Sequence, residues 1–116
     1  MENFEVIRED RNQVSILRLK GFLDAHTAPH FEQAIQELLG ENRINIIVSM
    51  ADLNYISSAG LGVFMGFIEE IREKEGDIKL SNMSDKVFKV FDLLGFPALY
   101  QIFKEESEAE ETYNQE

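Results

Sequence analysis

Ile44-Asn45-Ile46-Ile47-Val48-Ser49-Met50, then Ala51-Asp52-Leu53-Asn54-Tyr55-Ile56-Ser57, then Ser58-Ala59-Gly60-Leu61-Gly62-Val63-Phe64 is the stretch that decides the fold. Its first part, within residues 43–50, sets isoleucine and valine side by side, which marks a strand covered on both faces. Residues 51–57 read as a loop. From Ser58 onward, Leu61, Phe64, Phe67, Ile68 and Ile71 fall on one arc at roughly 100° per residue. That periodicity predicts a helix from Ser58 to Glu75, ended by Gly76. A doubly covered strand feeding an amphipathic helix is the building unit of an α/β fold.

Working outward, Phe4 to Glu9 and Gln13 to Lys20 read as strands joined by the turn-rich triplet Asp10-Arg11-Asn12, a hairpin. Val14, Ile16, Leu17 and Leu19 place the second strand centrally. Gly21-Phe22-Leu23-Asp24 leads into a helix with Thr27 as its expected cap and Ala28-Pro29 in its first turn. Phe31, Ala34, Ile35, Leu38 and Leu39 keep helical spacing up to Gly40. Downstream, Asp77 to Leu80 is a short strand and Ser84 caps a third helix, with Val87, Val90, Phe91 and Leu94 turned inward. Gly95 and Pro97 end it. Leu99 to Phe103 fits either a last strand or a helical turn. The order β-β-α-β-α-β-α predicts an α/β sandwich: a mixed sheet with parallel crossovers and helices mainly on one face.

The chain has 116 residues, which suits one domain, expected over 1–104. Residues 105–116 read as an acidic C-terminal tail or short helix, since Lys104 to Glu116 holds six glutamates and one lysine. The formal net charge is −11, from 22 acids and 11 bases. Such a surface repels nucleic-acid phosphates and anionic membranes, and protein partners remain. No apolar run approaches the roughly 18 residues of a membrane span. The start, Met1-Glu2-Asn3-Phe4-Glu5, lacks the layout of a signal peptide, so a cytoplasmic location is expected. Without cysteine there is neither a disulfide framework nor a thiolate metal site. His26 and His30 stand four apart but flank Pro29 and have no third ligand at a motif spacing, so they read as surface histidines. No metal or cofactor is expected.

Chemistry concentrates at Ser58. As the expected N-cap its hydroxyl would satisfy a free backbone N–H. Gly60, Gly62 and Gly66, however, crowd the first half of the helix, and each costs about 1 kcal/mol relative to alanine. Something must approach the backbone closely there, either the domain's own sheet or a visitor. The arc opposite the core holds Gly62, Met65 and Gly66, then Glu69, Glu70 and Glu73, with Val63 at its edge. A small apolar patch beside a modifiable hydroxyl suits docking; close packing under a loop is the blander account. Phosphorylation would add about −1.5 to −2 charges, which a helix N-terminus tolerates and a docked partner does not. Enzyme readings fail on spacing. The residues around Ser58 do not form Gly-x-Ser-x-Gly, and Gly60-Leu61-Gly62 is followed by no Gly-Lys-Ser/Thr.

The run Asp52-Leu53 through Tyr55-Ile56-Ser57-Ser58-Ala59-Gly60-Leu61-Gly62, with Gly21-Phe22-Leu23-Asp24-Ala25 and Thr27-Ala28 upstream, resembles the STAS domain family. Within it, the chain is similar to the free-standing anti-sigma factor antagonists of bacteria. The resemblance implies a STAS-like sandwich and a partner that is an anti-sigma factor serine kinase of the histidine-kinase-like ATPase type. Unphosphorylated antagonist captures that kinase and frees a sigma factor. ATP-dependent phosphorylation reverses the capture, and a PP2C-type phosphatase restores it. The acceptor maps onto Ser58, with partner contacts expected at Asp24, Ser57, Ala59, Gly60, Gly62, Met65 and Gly66. Asp24 is expected near Ser58. Ser57 stands where many phosphorylated members carry aspartate and can be a second acceptor or a spacer. Lone STAS domains also serve as phosphorylation-independent subunits of lipid-transport ABC complexes or sensory assemblies, and the exposed patch leaves room for a homodimer.

Overall fold

Arg11 pairs with Val14 across Asn12-Gln13, and Asn12 takes the left-handed conformation that so tight a reversal needs (φ 55°). The hairpin joins β1 (Phe4–Arg11) to β2 (Val14–Leu23). Next come α1 (Ala28–Gly40), β3 (Asn45–Ile56), α2 (Ser58–Glu73), β4 (Asp77–Ser81) and α3 (Asp85–Leu93). A 3-10 turn (Phe96–Ala98), β5 (Ile102–Phe103) and α4 (Glu106–Asn114) complete the order. The computed structural model describes residues 4–115; Met1-Glu2-Asn3 of the acidic start and Glu116 of the acidic C-terminal stretch lie outside the described residues.

The sheet runs β1-β2-β3-β4-β5, antiparallel only between β1 and β2. This is the expected mixed sheet with parallel crossovers, and the undecided segment after Pro97 supplies its fifth strand. Helices α1, α2 and α3 cover one face over a core of Leu17, Leu19, Phe31, Ile46, Val48 and Phe64, all essentially inaccessible. Phe64 is its hub: its ring meets Phe31 at 5.0 Å, Phe91 at 5.8 Å and Tyr100 at 6.0 Å, each edge-on.

The other face is covered by α4. Ala109 and Tyr113 are buried against Val14, Ile16 and Ile47. The Lys79 ammonium sits 3.9 Å from the centre of the Tyr113 ring and donates to Thr112 Oγ1 at 2.8 Å. Arg18 grips Glu106 through two hydrogen bonds of 2.8 and 2.9 Å. The acidic C-terminal stretch is therefore a helix with one face docked, and its Glu106 and Glu110 pair with Arg18 and Arg11 of the strands.

Several sequence expectations need correction. Residues 51–56 are strand, not loop: β3 continues beside β2 through Gly21↔Leu53, Phe22↔Tyr55 and Leu23↔Ile56. Two register shifts, after Arg18 and after Gly21 (φ 99°), break the alternation that would have revealed it. Leu94 does not face inward. It caps α3 and is 56% exposed, because the chain turns away at left-handed Gly95 (φ 75°). Helix α2 stops at Glu73, and left-handed Glu75 makes the turn. Gly76 has another duty: a Cβ there would lie 2.2 Å from the Ile44 carbonyl oxygen, so only glycine fits against the start of β3. Thr27 occupies the cap position of α1 but donates its hydroxyl to the Phe22 carbonyl (2.8 Å) instead of capping.

Candidate functional site

Parallel strands β2 and β3 end together, and their carboxyl ends carry the site, as is usual in α/β sheets. The Ser57 N–H donates to the Leu23 carbonyl at 2.9 Å, which pins the start of α2 to the end of β2. That bond brings Asp24, the next residue of β2's continuation, alongside Ser57. The Asp24 carboxylate is engaged locally: Oδ1 accepts from the N–H groups of His26 (2.9 Å) and Thr27 (3.2 Å), and so shapes the turn into α1.

The expected cap is displaced by one residue. Ser57, extended at φ −104° and ψ 174°, is the N-cap, and Ser58 is the first helical residue. Ser57 makes no capping bond, and its Oγ is buried without a hydrogen-bond partner. The Ser58, Ala59 and Gly60 N–H groups consequently have no acceptor within the helix. Ser58 itself is exposed. A phosphate on its hydroxyl would meet free N–H groups and the positive end of a 16-residue helix.

The three glycines divide. Gly60 is buried, and a Cβ there would stand 2.6 Å from Leu23 Cγ and 3.1 Å from Ile56 Cγ1. Its close neighbour is the domain's own sheet, one of the two approaches the glycine pattern allows, and Gly60 presents no open surface of its own. At Gly62 and Gly66 a Cβ would meet nothing within 4 Å, and both are exposed. Met65 lies between them, 48% exposed, with the Tyr100 hydroxyl donating to its sulfur at 3.9 Å. Burial pushes the Tyr100 phenol up to about 12, so it stays a neutral donor. Val63, placed at the edge of the outer arc by the sequence, is buried. Ala59 and Gly62 line a shallow groove against Ala25, Ala28 and Pro29 of the α1 side.

Other residues escaped the sequence reading. Phe22 and Tyr55 expose their rings 6.0 Å apart on the sheet face beyond α4. Beside Ser58 an apolar groove of about 450 Å³ opens between α2 and α3, lined by Leu61, Val90, Leu93 and Leu94 with Lys89 and Asp92. The doublet Leu93-Leu94 ahead of Gly95 was a usable signal, since a helix end cannot turn both leucines inward. His26 and His30 are exposed, and the His30 ring packs edge-on to Phe4 at 5.5 Å. Among the described residues no three histidines or carboxylates gather as a metal site, and no helix is long and apolar enough to cross a membrane.

Comparison with known proteins gives a consistent result. The model of the STAS domain matches residues 5–109. The anti-sigma-B factor antagonist of Listeria monocytogenes is 27% identical over 106 residues, covering 91% of this chain and 92% of the relative. An anti-sigma factor antagonist from Mycobacterium paratuberculosis superposes with a TM-score of 0.87 at 19% identity, covering 95% and 93% of the two chains. The antagonist SpoIIAA of Bacillus matches at 24% identity in both of its states. The unphosphorylated form gives a TM-score of 0.82 (98% of each chain) and the phosphorylated form 0.73 (96% and 99%).

Proposed function

The chain belongs to the STAS domain family, and from that premise we propose that it acts as an anti-sigma factor antagonist switched by phosphorylation of Ser58. Unphosphorylated, its α2 face captures an anti-sigma factor serine kinase of the histidine-kinase-like ATPase type and frees a sigma factor. The kinase then moves the γ-phosphoryl group of ATP to Ser58 Oγ: the new P–O bond forms as the bond to ADP breaks, and the hydroxyl proton leaves to a base on the kinase. A PP2C-type phosphatase hydrolyses the ester. In this scheme the chain is substrate and ligand, not an enzyme, and it works in the cytoplasm, where ATP and sigma factors are.

One observation carries the reading. Exposed Ser58 opens a helix whose outer positions, Gly62 and Gly66, face open space and serve no packing within the fold. Glycine there keeps the surface flat for a partner at a cost of about 1 kcal/mol each in helix stability. The relative solved with and without its phosphate supports the same mode of control. Phosphate at the helix start leaves the fold intact, because backbone N–H groups and the helix dipole receive it. A partner seated on Gly62, Met65 and Gly66 meets added bulk and a charge it must desolvate. Loss of about 3 kcal/mol there weakens binding on the order of a hundredfold.

The test is a paired capture from host lysate with wild type and Ser58→Asp as baits. A small histidine-kinase-like ATPase retained by wild type alone supports the switch. One partner held equally by both baits, such as a transporter ATPase, sinks it in favour of a phosphorylation-independent subunit.

A further inference from the structure

We propose that Lys89 receives the phosphate of phosphorylated Ser58 across the groove between α2 and α3, and that this bridge closes the groove over its leucines. The inference rests on the reading of Ser58 as acceptor and adds the residue that would hold the modified state.

The groove places the two groups together: Ser58 and Lys89 line the same space, with Leu61, Val90, Leu93 and Leu94 between and around them. The two helices touch at the core, where Phe64 meets Phe91, and part toward the surface. Their outer edges are therefore free to approach without disturbing the packed aromatic cluster. Left-handed Gly95, directly after α3, gives that helix a turn on which to tilt.

Charge distribution singles out Lys89. Every arginine of the described residues is committed to a carboxylate: Arg8 to Asp10 and Glu41, Arg11 and Arg18 to Glu9, Arg43 to Asp10, Arg72 to Asp77. Lys89 forms no such pair and is the one cation lining this groove. The backbone N–H groups at the start of α2 bring partial charge, and an ammonium on a flexible four-carbon stem brings a full one. Asp92 lines the same groove and opposes the phosphate. Lys86 lines the adjoining groove with Tyr55 and Ile56, so it is the natural control. With the phosphate held, the exposed Leu93 and Leu94 come under cover above the already buried Leu61, and the apolar surface beside the acceptor closes. The modified state then differs from the unmodified one twice, in the charge at α2 and in the closed groove beside it.

Phosphoserine is installed at position 58 during synthesis of the full chain, so no kinase is needed, and its second ionisation is followed by phosphorus NMR. Lys89→Gln is expected to raise that pKa by about half a unit and Asp92→Asn to lower it, while Lys86→Gln leaves it unchanged. The methyl signals of the exposed Leu93 and Leu94 are expected to move on phosphorylation in wild type and to stay put in Lys89→Gln. Equal phosphate titration in wild type and Lys89→Gln, or methyl shifts that persist in the variant, overturns the bridge. Because the phosphate is placed chemically, a lysate that never phosphorylates Ser58 would count against the switch alone and leave this result standing.

Discussion

Gly60 lies under Leu23 so tightly that a Cβ built on it would stand 2.6 Å from Leu23 Cγ, whereas two residues on, at Gly62, a Cβ would meet nothing within 4 Å. The same residue type thus does opposite work one half-turn apart. Gly60→Ala forces Leu23 and Ile56 to shift and is expected to destabilise by about 1–3 kcal/mol. Gly62→Ala relieves a helix interior of glycine and is expected to stabilise by up to about 1 kcal/mol. Urea denaturation measures both; a stabilised Gly60→Ala would mean that the sheet does not press on α2 there.

Ser58 and Ser57 differ in access, and that should appear in phosphate incorporation. Ser58 is exposed, while Ser57 Oγ is buried. Ser58→Ala is expected to abolish labelling from ATP by the cognate kinase with a melting temperature close to wild type, and Ser57→Ala to keep labelling. Labelled Ser58→Ala would move the acceptor to Ser57.

Met65 stands at the centre of the open face of α2, backed by the neutral Tyr100 hydroxyl. Met65→Glu adds to the chain's net charge of −11 and puts a carboxylate where a partner would sit. Capture of the kinase is expected to weaken on the order of a hundredfold, a loss of about 3 kcal/mol. Circular dichroism on the same sample separates this from unfolding: a matching drop in thermal stability would make Met65 a packing residue instead.

The dock of α4 should respond to acid. The Arg18 guanidinium, with help from the Ser49 hydroxyl, holds the Glu106 carboxyl below the usual carboxylate range. A depressed carboxyl contributes stability above its unfolded pKa and loses that contribution as pH falls through the lower folded value. Tyr113 ring signals are therefore expected to drift toward free-tyrosine positions below about pH 4. Arg18→Gln should show part of that drift at neutral pH. Identical pH profiles for the two proteins would remove the Arg18–Glu106 pair from the account.

What could be read from sequence follows the strength of each periodic signal. Helix α2 was legible because its apolar residues repeat without interruption from Leu61 to Ile71, and the first half of β3 because Ile46-Ile47-Val48 admits no polar face. The second half of β3 was hidden: its buried residues, Leu53 and Ile56, are three apart, since the bulged partner strand resets the register twice. The exposed serine at the start of α2 and the open face at Gly62, Met65 and Gly66 could be read from the chain. The inward role of Gly60 could not, because a glycine pressed on leucine and a glycine facing water look alike in a string of letters. Docking of α4 was equally opaque, as it depends on Lys79, a residue whose burial inside the sheet depends on the helix that covers it.

Tyr113 shares its one hydroxyl proton between the carbonyls of Ile46 and Asp77, at 2.8 and 2.7 Å, where β3 and β4 begin. Ser58 follows the far end of that same β3, ten residues beyond Ile46, or about 30 Å along an extended strand. The molecule accordingly has a handle at one end of the sheet and the proposed docking tip at the other. A fluorophore, an affinity tag or a second protein domain attached beyond α4 would hang from the handle and leave the tip unobstructed. The same separation makes an N-terminal and a C-terminal fusion inequivalent: β1 pairs Phe4 with Gly21, close to the Asp24 turn, so cargo at the start of the chain would crowd the tip.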